Sequence, residues 1–476
     1  MADNAVPLKL FEKKERIFPK RVWGKYRQMK WIAMIILLGI YYLAPFLRWD
    51  RGEHAPDQAI LIDMSAQRAY FFFIEIWPQE IYYITGILIA AAIGLFMVTS
   101  LFGRVWCGYG CPQTVWTDLF VWVERIIQGD RAKRAKLYKA PWSFEKLWKL
   151  GLTHAIWIII GLFTGGAWVF YFNDAPTLIE QIMHFDVPMA VMVWIIALTF
   201  STYIMAGFAR EQVCTYMCPY ARFQSAMFDK STLIISYDDV RGESRGKHKK
   251  GESWEGRGHC IDCTACVQVC PMGIDIRDGL QMECIACGLC VDACDDIMEK
   301  IDLPKGLIRY DTTENKENRL KGWAERVTLL RPRTFYYGVV LSLVFGAIIY
   351  GLTHRTESEL HVLHDRNPLF VKLASGEIRN GYDIKILNKT HEDMTFKLQA
   401  EGIEGLSLRV QGTGDLNPEG LNVFADSIGH FRVFVTAPKQ LKNRENIIFT
   451  ATEVGDRDNG DIIGATYEST FVSDRQ

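Results

Sequence analysis

The stretch CIDCTACVQVCP, Cys260–Pro271, has the cysteine spacing C-x2-C-x2-C-x3-C-P, and CIACGLCVDAC, Cys284–Cys294, repeats that spacing shortly afterwards. In such a motif three closely spaced cysteines hold one cubane cluster, and the fourth ligates the neighbouring cluster. The spacing therefore predicts two [4Fe–4S] clusters, one bound by Cys260, Cys263, Cys266 and Cys294 and the other by Cys284, Cys287, Cys290 and Cys270. Asp295 follows the last cysteine, where the motif usually has proline.

Zinc is the main alternative for closely spaced cysteines, but a zinc ribbon uses two C-x2-C pairs and not two runs of four. Two neighbouring clusters form an electron-transfer module. The sequence has no G-x-G-x-x-G or Walker loop in a βαβ setting that would bind a nucleotide. Electrons must then come from a separate donor. The formal net charge of −1 argues against a general nucleic-acid-binding protein.

Five apolar stretches are long enough to cross a bilayer as helices, which takes about 20 residues. They are Met29–Leu47, Ile81–Leu101, Gly151–Phe172, Val187–Phe208 and Thr334–Leu352. Lys and Arg are concentrated before the first stretch and after the second, which places the N-terminus in the cytoplasm. All twelve cysteines lie at or before Cys294, so they fall on the cytoplasmic side or at its membrane edge. We therefore predict a multi-pass protein of the bacterial inner membrane.

The motifs CGYGCP, Cys107–Pro112, and CTYMCP, Cys214–Pro219, share the pattern C-x-Y-x-C-P, and each follows an apolar stretch. The membrane part is thus predicted to be a repeat of two helical hairpins, each ending in one motif. In a helix, two cysteines four residues apart would share one face about 6 Å apart, and the proline would break or kink the helix beyond them. The candidate catalytic or metal-binding thiols are Cys107, Cys111, Cys214 and Cys218.

Three chemistries fit these four thiols: binding of a soft metal such as Cu(I), cycling as redox dithiols, or ligation of a further cluster. The sequence does not choose among them. Buried, unreactive thiols are the simpler alternative, since free cysteine is often buried. Arg104 and Arg210, just ahead of the motifs, are interpreted as positive flanks of the spans. Weaker candidates are histidines that could bind copper (His361, His364) or serve a quinone or haem (His154, His184).

From about Asn367 the sequence consists of short alternating strands separated by turn signals such as Asn380–Gly381. About seven or eight strands in about 110 residues predict an immunoglobulin-like sandwich without a disulfide. We therefore predict a multi-domain membrane protein with five segments: 1–28, a cytoplasmic N-terminal segment; 29–228, transmembrane helices one to four with both C-x3-C-P motifs; 229–332, a cytoplasmic ferredoxin-like domain; 333–353, the fifth transmembrane helix; and 354–476, a periplasmic all-β domain.

The five spans, the two C-x3-C-P motifs, the double run Cys260–Cys294 and the β-rich tail together resemble the CcoG, FixG and RdxA family of cytochrome c oxidase accessory proteins. The resemblance covers essentially the whole chain and is close in CVQVCPMGIDIRDGLQMEC, Cys266–Cys284, and at Asp295. It implies a cupric reductase that delivers Cu(I) for assembly of the cbb-type haem–copper oxidase, with cluster cysteines and membrane-edge cysteines at the positions named above. Part of the architecture is also similar to quinol-oxidising membrane ferredoxins of nitrate and nitrous-oxide respiration.

The resulting hypothesis is a membrane-bound iron–sulfur oxidoreductase that passes electrons from a cytoplasmic donor through two [4Fe–4S] clusters to Cu(II) at the membrane-edge thiols. A quinone-linked electron-transfer subunit and a non-enzymatic copper chaperone or assembly scaffold are the alternatives. The expected partners are membrane lipid, an unidentified cytoplasmic electron donor, and copper-handling or oxidase-assembly proteins. A homodimer is left open, and no nucleic acid is expected.

Overall fold

The computed structural model describes residues 16–52, 55–248, 253–411, 417–438, 443–454 and 464–473. The chain divides into two units: the first extends to Ile348 except for Arg48–Asp57, and those residues group with Ile349–Gln476 in the second. All twelve cysteines belong to the first unit. The predicted ferredoxin-like insert is thus part of the same unit as most of the membrane helices, because the insert contacts these helices directly.

Five helices are long and apolar enough to cross a membrane, as predicted: Lys25–Phe46, Pro78–Phe102, Phe144–Val169, Met189–Ala209 and Pro332–Thr353. The third begins before its apolar run, because the Ser143 hydroxyl accepts a hydrogen bond of 3.2 Å from a backbone amide of the first turn. This helix approaches the fourth closely at two glycines. A Cβ added at Gly161 would lie 3.0 Å from the Thr199 carbonyl oxygen, and one at Gly165 would lie 2.7 Å from that of Ile195.

The helices, numbered in chain order, are α1 (Lys25–Leu43), α2 (Ile81–Phe102), α3 (Val105–Tyr109), α4 (Pro112–Gln128), α5 (Arg131–Lys139), α6 (Phe144–Val169), α7 (Ala175–Met183), α8 (Met189–Ile204), α9 (Pro219–Met227), α10 (Asp239–Gly242), α11 (Ala265–Val269), α12 (Leu289–Lys300), α13 (Thr313–Leu320) and α14 (Pro332–Thr353). Two turns are π-helical, Met205–Ala209 and Val213–Met217, and three are 3₁₀-helical, Ala44–Phe46, Pro78–Glu80 and Ile276–Asp278.

The strands are β1 (Ile60–Asp63), β2 (Arg68–Phe71), β3 (Ile74–Ile76), β4 (Ile234–Tyr237), β5 (Ile308–Asp311), β6 (Ser358–His364), β7 (Val371–Lys372), β8 (Ile378–Asn388), β9 (Met394–Glu401), β10 (Ser407–Gln411), β11 (Leu421–Val423), β12 (Ser427–Ala437), β13 (Arg444–Glu453) and β14 (Gly464–Val472). The antiparallel sheet β1–β2–β3 between the first two spans was not predicted, because strands this short give no clear periodic signal. It contacts the end of α6, where the Ile62 amide donates to the Tyr171 carbonyl oxygen at 2.8 Å.

The insert between the fourth and fifth spans is built on the antiparallel pair β4–β5 and the helices α11 and α12. It is joined to the first membrane helix by Asp292 of α12, whose carboxylate accepts hydrogen bonds from the Tyr26 amide at 3.2 Å and the Arg27 amide at 2.7 Å. These amides belong to the first turn of α1, so Asp292 supplies the cap that α1 lacks in its own sequence. The Lys20 amide also donates to the Gln268 carbonyl oxygen at 2.8 Å. The insert is therefore fixed to the membrane helices.

α4 buries its two carboxylates together with several apolar side chains, and part of its exposed surface is also apolar. Glu124 is 1% exposed, whereas Ile126 is 62% exposed. The Glu124 carboxylate forms ion pairs with Arg210 at 2.6 Å, Arg16 at 2.9 Å and Arg134 at 3.0 Å. This pattern fits a helix whose outer face contacts lipid.

Replacing Glu124 by alanine is expected to lower the free energy of unfolding by about 3–5 kcal/mol, because the buried Arg134 and Arg210 would lose their counterion. Thermal unfolding in detergent measures this change. Glu145→Ala is the matched control, since Glu145 forms an exposed pair with Lys149 on α6 and its loss should leave the unfolding temperature close to that of the wild type. Equal shifts for both variants would show that the Glu124 pairs do not stabilise the fold.

The second unit contains an all-β sandwich of two antiparallel sheets, as predicted. One sheet has the order β10–β12–β8–β6 with β7 also on β8, and the other has the order β11–β9–β13–β14. Alternate side chains fill the core between the sheets, including Tyr382, Phe396, Val433 and Phe449, which are fully buried. The fold class predicted from the sequence is thus confirmed.

Candidate iron–sulfur and thiol centres

The first candidate site is a cavity of about 350 Å³ inside the insert. The cysteines that line it are Cys260, Cys263, Cys266 and Cys294. Cys266 lies on α11 and Cys294 on α12, while the other two precede α11 on a segment without regular secondary structure. The remaining wall is largely apolar, with Leu307 and Met298 among its residues. Four thiols around one apolar cavity are the donor set that a [4Fe–4S] cluster requires.

The second candidate site is a neighbouring cavity of about 350 Å³. The cysteines that line it are Cys270, Cys284, Cys287 and Cys290, together with Cys266 from the first site. Because Cys266 lines both cavities, the two sites are adjacent. Each cavity is thus lined by one of the two cysteine sets that the spacing predicts. As predicted, Cys270 of the first run lines the second cavity, and Cys294 of the second run lines the first.

Burial makes these thiols weak acids in the protein without metal. It raises the pKa of Cys266 and Cys284 to about 11 and that of Cys270 and Cys294 to about 12. Thiolate, and not thiol, is the ligand of a metal, so cationic iron would have to displace these protons. Within the described ranges, no three His, Cys, Asp or Glu side chains are close enough together to bind one metal ion. Two sets of four cysteines around neighbouring cavities fit two [4Fe–4S] clusters.

The four cysteines of the C-x-Y-x-C-P motifs also converge, although the motifs are about a hundred residues apart in the chain. Burial raises the pKa of Cys214 to about 12, and the neighbouring Cys111, Cys107 and Cys218 raise it further. Burial likewise raises the pKa of Cys107, opposed by the adjacent Arg104. The structure thus brings the predicted thiols into one group, which we call the four-thiol group.

The helical segment is interrupted at each proline, as predicted, and the proline also begins the next helix. The prediction that both cysteines of a motif share one helix face is wrong, because the second cysteine lies outside the first helical segment. Pro112 is the first residue of α4 and Pro219 that of α9, with Cys111 and Cys218 extended at the N-caps. Proline suits this first position because its missing N–H would have no partner there. The positive ends of α4 and α9 therefore lie at the second cysteine of each motif. This placement suits negatively charged metal–thiolate groups.

The first motif is in direct contact with the second cavity. A Cβ added at Gly108 would lie 2.7 Å from the Ile285 carbonyl oxygen and 3.0 Å from the Cys287 Cα. The Tyr109 hydroxyl donates to the Cys287 carbonyl oxygen at 3.0 Å. Cys107 belongs to the same hydrophobic cluster as Cys287. Only glycine allows this approach, so the four-thiol group lies beside the loop that lines the second cavity.

The second motif differs from the first. Tyr216, the equivalent of Tyr109, is 64% exposed, and the turn Val213–Met217 has no buried residue. The two motifs meet through α9, because the Cys107 thiol donates to the Gln224 side-chain oxygen at 3.2 Å. The role of Gln224 as hydrogen-bond acceptor was not predicted, since a lone glutamine on a helix has no distinctive pattern.

The two arginines ahead of the motifs, interpreted from the sequence as positive flanks of the spans, are buried and hydrogen-bonded. Arg104 donates through Nε to the Gln224 side-chain oxygen at 2.9 Å and also to the Met282 carbonyl oxygen. Arg210 pairs with Glu124 and donates to the Gly207 carbonyl oxygen at 2.8 Å. Each arginine therefore fixes the chain next to a motif. Arg104 additionally orients the acceptor of the Cys107 thiol.

The histidine candidates have local partners. His154 Nδ1 lies 3.0 Å from the Tyr203 hydroxyl, and His184 Nδ1 lies 2.9 Å from the Glu180 carbonyl oxygen. In the second unit, His364 Nε2 lies 2.6 Å from the Asn380 side-chain oxygen, and His361 lies 3.4 Å from the Glu359 carboxylate. These contacts do not add to the haem or copper hypotheses.

Family models match most of the regions described above. A "4Fe-4S dicluster domain" matches residues 209–313, a "4Fe-4S binding domain" matches 84–129, and an Ig-like fold found at the C-terminus of FixG matches 348–474. Together with the two cysteine-lined cavities and the five spans, these matches define a membrane-bound iron–sulfur protein with a redox or electron-transfer role.

Comparison with similar proteins identifies the family. The chain is 48% identical over 461 residues to the nitrogen fixation protein FixG of Rhizobium meliloti, covering 90% of this chain and 88% of FixG. It is 46% identical over 433 residues to protein RdxA of Cereibacter sphaeroides, covering 90% and 91%. The chain belongs to the FixG/RdxA family, as the motifs predicted. The ferredoxin-type protein NapH of Haemophilus influenzae is 25% identical over 229 residues, 44% of this chain and 65% of NapH.

Proposed function

We propose that this protein is a cupric reductase that transfers electrons from a reduced cytoplasmic donor to Cu(II) at the four-thiol group. The observation that carries the proposal is the contact of Gly108 and Tyr109 with the loop Ile285–Cys287. This contact places the only cysteines outside the insert directly beside one of its two cavities. A [4Fe–4S] cluster in each cavity would supply a carrier for one electron at a time.

The residues of the insert suggest a direction for this transfer. Cys263 of the first cavity is exposed, whereas Cys287 of the second is buried. A soluble donor would therefore approach the first cavity. The second cavity shares its hydrophobic cluster with Cys107 and Cys214, so electrons would leave from there.

The copper step balances with one electron for each ion: Cu(II) gains one electron and becomes Cu(I), and the donor loses one. Thiolates are soft ligands that bind Cu(I) in preference to harder cations, so the four-thiol group would favour the reduced product. The N-terminal ends of α4 and α9 would stabilise the thiolates after their protons leave for solvent. Side-chain rotation would be needed to bring three sulfurs onto one ion.

The wider role is part of the same proposal. Cu(I) would be passed to proteins that assemble the cbb-type cytochrome oxidase in the inner membrane, with the insert on the cytoplasmic side. The all-β domain would lie in the periplasm, where it would bind an assembly partner or act as a spacer. The concentration of Lys and Arg before the first span supports this orientation.

Two observations favour other functions. The match of a "4Fe-4S binding domain" to residues 84–129 includes Cys107 and Cys111 and favours a further cluster at the four-thiol group. The likeness to a ferredoxin-type protein over 44% of the chain favours a quinone-linked electron carrier. A copper chaperone or assembly scaffold without redox turnover is the third candidate.

The iron content distinguishes a further cluster at the four-thiol group from a copper site there. Protein purified without oxygen is expected to contain about eight iron atoms per chain, four for each cavity. Metal analysis of the full-length protein in detergent measures this number. About twelve atoms would indicate iron at the four-thiol group and would remove it as a free copper site. Four or fewer would contradict the assignment of two clusters.

A further inference from the structure

A cavity with about 650 Å³ of empty space lies where the N-terminal segment meets α1 and α4. Three arginines and three tryptophans dominate its wall: Arg21, Arg27, Arg125, Trp23, Trp31 and Trp122. None of the residues that line it, all within the described ranges, is acidic. The cavity belongs neither to the cysteine-lined sites nor to the four-thiol group.

One buried N–H group among the arginines of this cavity has no hydrogen-bond acceptor among the described residues. Arg27 is occupied, since it donates two hydrogen bonds of 2.9 and 2.8 Å to Asp118. Arg125 donates to the Pro19 carbonyl oxygen at 3.3 Å, but its buried Nε has no hydrogen-bond partner among the described residues. The Arg21 guanidinium stacks on the Trp23 ring, 4.3 Å from its centroid. Two guanidinium groups thus face the cavity without a carboxylate in its wall.

The net charge around the cavity is also unbalanced. Burial lowers the pKa of Arg125 to about 10, an effect that the nearby Arg27 increases and Asp118 opposes. Asp118 is shared between Arg27 and Lys30, whose Nζ lies 3.8 Å away. Asp118 and Asp130 both act on Arg125, but neither carboxylate lines the cavity, and Asp118 already pairs with Arg27 and Lys30. An anion bound beside Arg125 would therefore stabilise this region.

The position of the cavity matches the headgroup layer of a membrane. It lies at the start of the first span, which begins at Lys25, and tryptophan is enriched at membrane–water interfaces. Trp23 and Trp122 are 62% and 40% exposed. The neighbouring Ile126 of α4 is also exposed on the face that we assign to lipid. An anion that reached this cavity from the membrane would have apolar surface available for its acyl chains.

We propose that this cavity binds the phosphate group of an anionic phospholipid, with Arg21 and Arg125 as hydrogen-bond donors and the tryptophans against the glycerol and upper acyl chains. Basic pockets beside membrane helices bind such headgroups in other proteins. The charge-assisted, forked geometry of arginine suits phosphate oxygens.

The bound lipid would also stabilise the attachment of the insert. Arg125 and Arg134 both donate to the Pro19 carbonyl oxygen, and the next residue, Lys20, donates its amide to Gln268 of α11. The segment 16–24 therefore connects α4 to the insert. A lipid that holds Arg125 in place would strengthen this connection without taking part in electron transfer.

The test uses the full-length protein, stripped of lipid in detergent and titrated with phosphatidylglycerol, with phosphatidylcholine of the same acyl chains, or with inorganic phosphate. Native mass spectrometry counts the bound lipid, and thermal unfolding measures stabilisation. We expect one tightly bound phosphatidylglycerol and a higher unfolding temperature, with little effect of the other two. Arg21→Gln and Arg125→Gln should each weaken binding about tenfold, the loss expected for one charge-assisted hydrogen bond.

Arg131→Gln on the neighbouring α5 is the control, since Arg131 does not line the cavity. This variant should bind lipid like the wild type. If Arg125→Gln does not fold, Arg21→Gln decides the test, because the Arg21 guanidinium contacts only the exposed Trp23 ring in the part of the chain described. Equal binding of phosphatidylcholine would overturn the proposal in favour of unspecific lipid. Equal stabilisation by inorganic phosphate alone would overturn it in favour of a soluble anion site.

Discussion

Replacing Cys107, Cys111, Cys214 and Cys218 together by serine is expected to lower the rate of Cu(II) reduction at least about 100-fold, which corresponds to about 2.7 kcal/mol of activation free energy. Serine keeps the size of each side chain but removes the soft sulfur ligand. The eight cysteines of the insert remain, so the iron content should stay at the wild-type value. Anaerobic assays of Cu(I) formation with a chromogenic chelator measure the rate.

The pairwise variants are the matched controls for this experiment. Cys107→Ser with Cys111→Ser removes the motif that contacts the second cavity, and Cys214→Ser with Cys218→Ser removes the other. If all four thiols act together, both pairwise variants should lose most of the activity. If they act separately, the first pair should lose more, because Gly108 and Tyr109 lie against the loop of the second cavity. Wild-type rates in the fourfold variant would remove these thiols from the mechanism.

Gly108→Ala is expected to slow electron transfer from the insert to copper severalfold. The added methyl group would lie 2.7 Å from the Ile285 carbonyl oxygen and 3.1 Å from that of Ala286, and backbone atoms cannot rotate away as a side chain can. α3 and the loop must therefore separate, which lengthens the path between the second cavity and the four-thiol group, and electron transfer slows as that distance grows. Overpacking of this kind also costs about 1–3 kcal/mol of stability.

Gly151→Ala is the control for the loss of a glycine. Gly151 lies in α6 with no heavy atom near the position of an added Cβ, so alanine there should be neutral or slightly stabilising. Stopped-flow oxidation of the reduced protein by Cu(II) compares the two variants, and iron analysis checks that both contain the wild-type amount. A Gly108→Ala protein that transfers electrons at the Gly151→Ala rate would show that this contact is not the route.

The parts of the structure that were predicted correctly are those that depend on local sequence. The five spans follow from long apolar runs, and the family follows from the cysteine spacing of Cys260–Cys294 and the paired C-x-Y-x-C-P motifs. The strands of the second unit follow from alternation with period two, and Tyr382 and Phe449 fill the core as that alternation requires.

The contacts that position the four-thiol group were not predicted, because they join residues far apart in the chain. Asp292 caps a helix that begins at Lys25, and Gln224 accepts from Cys107 across more than a hundred residues. A single sequence gives no signal for such pairs. The roles of Pro112 and Pro219 could have been predicted, since proline is common at the first position of a helix.

The insert, residues 229–332 of the predicted segments, forms one compact unit with most of the membrane helices. The reason is the cap of α1 by Asp292 and the close approach of Gly108 to Ile285. An electron-transfer module that must deliver to a site at the membrane gains from such fixed attachment, because the distance between the two sites is then constant.

The most direct test of the central claim is single-turnover oxidation of the reduced protein under anaerobic conditions. The protein is reduced with dithionite, freed of excess reductant and mixed with Cu(II) and a Cu(I) chelator, or with a soluble quinone analogue. With one electron from each cavity, about two Cu(I) per chain should form as the iron–sulfur absorbance returns to its oxidised value, and the fourfold serine variant should show neither change. Clusters that stay reduced with Cu(II) but are oxidised by the quinone analogue would contradict the cupric reductase account.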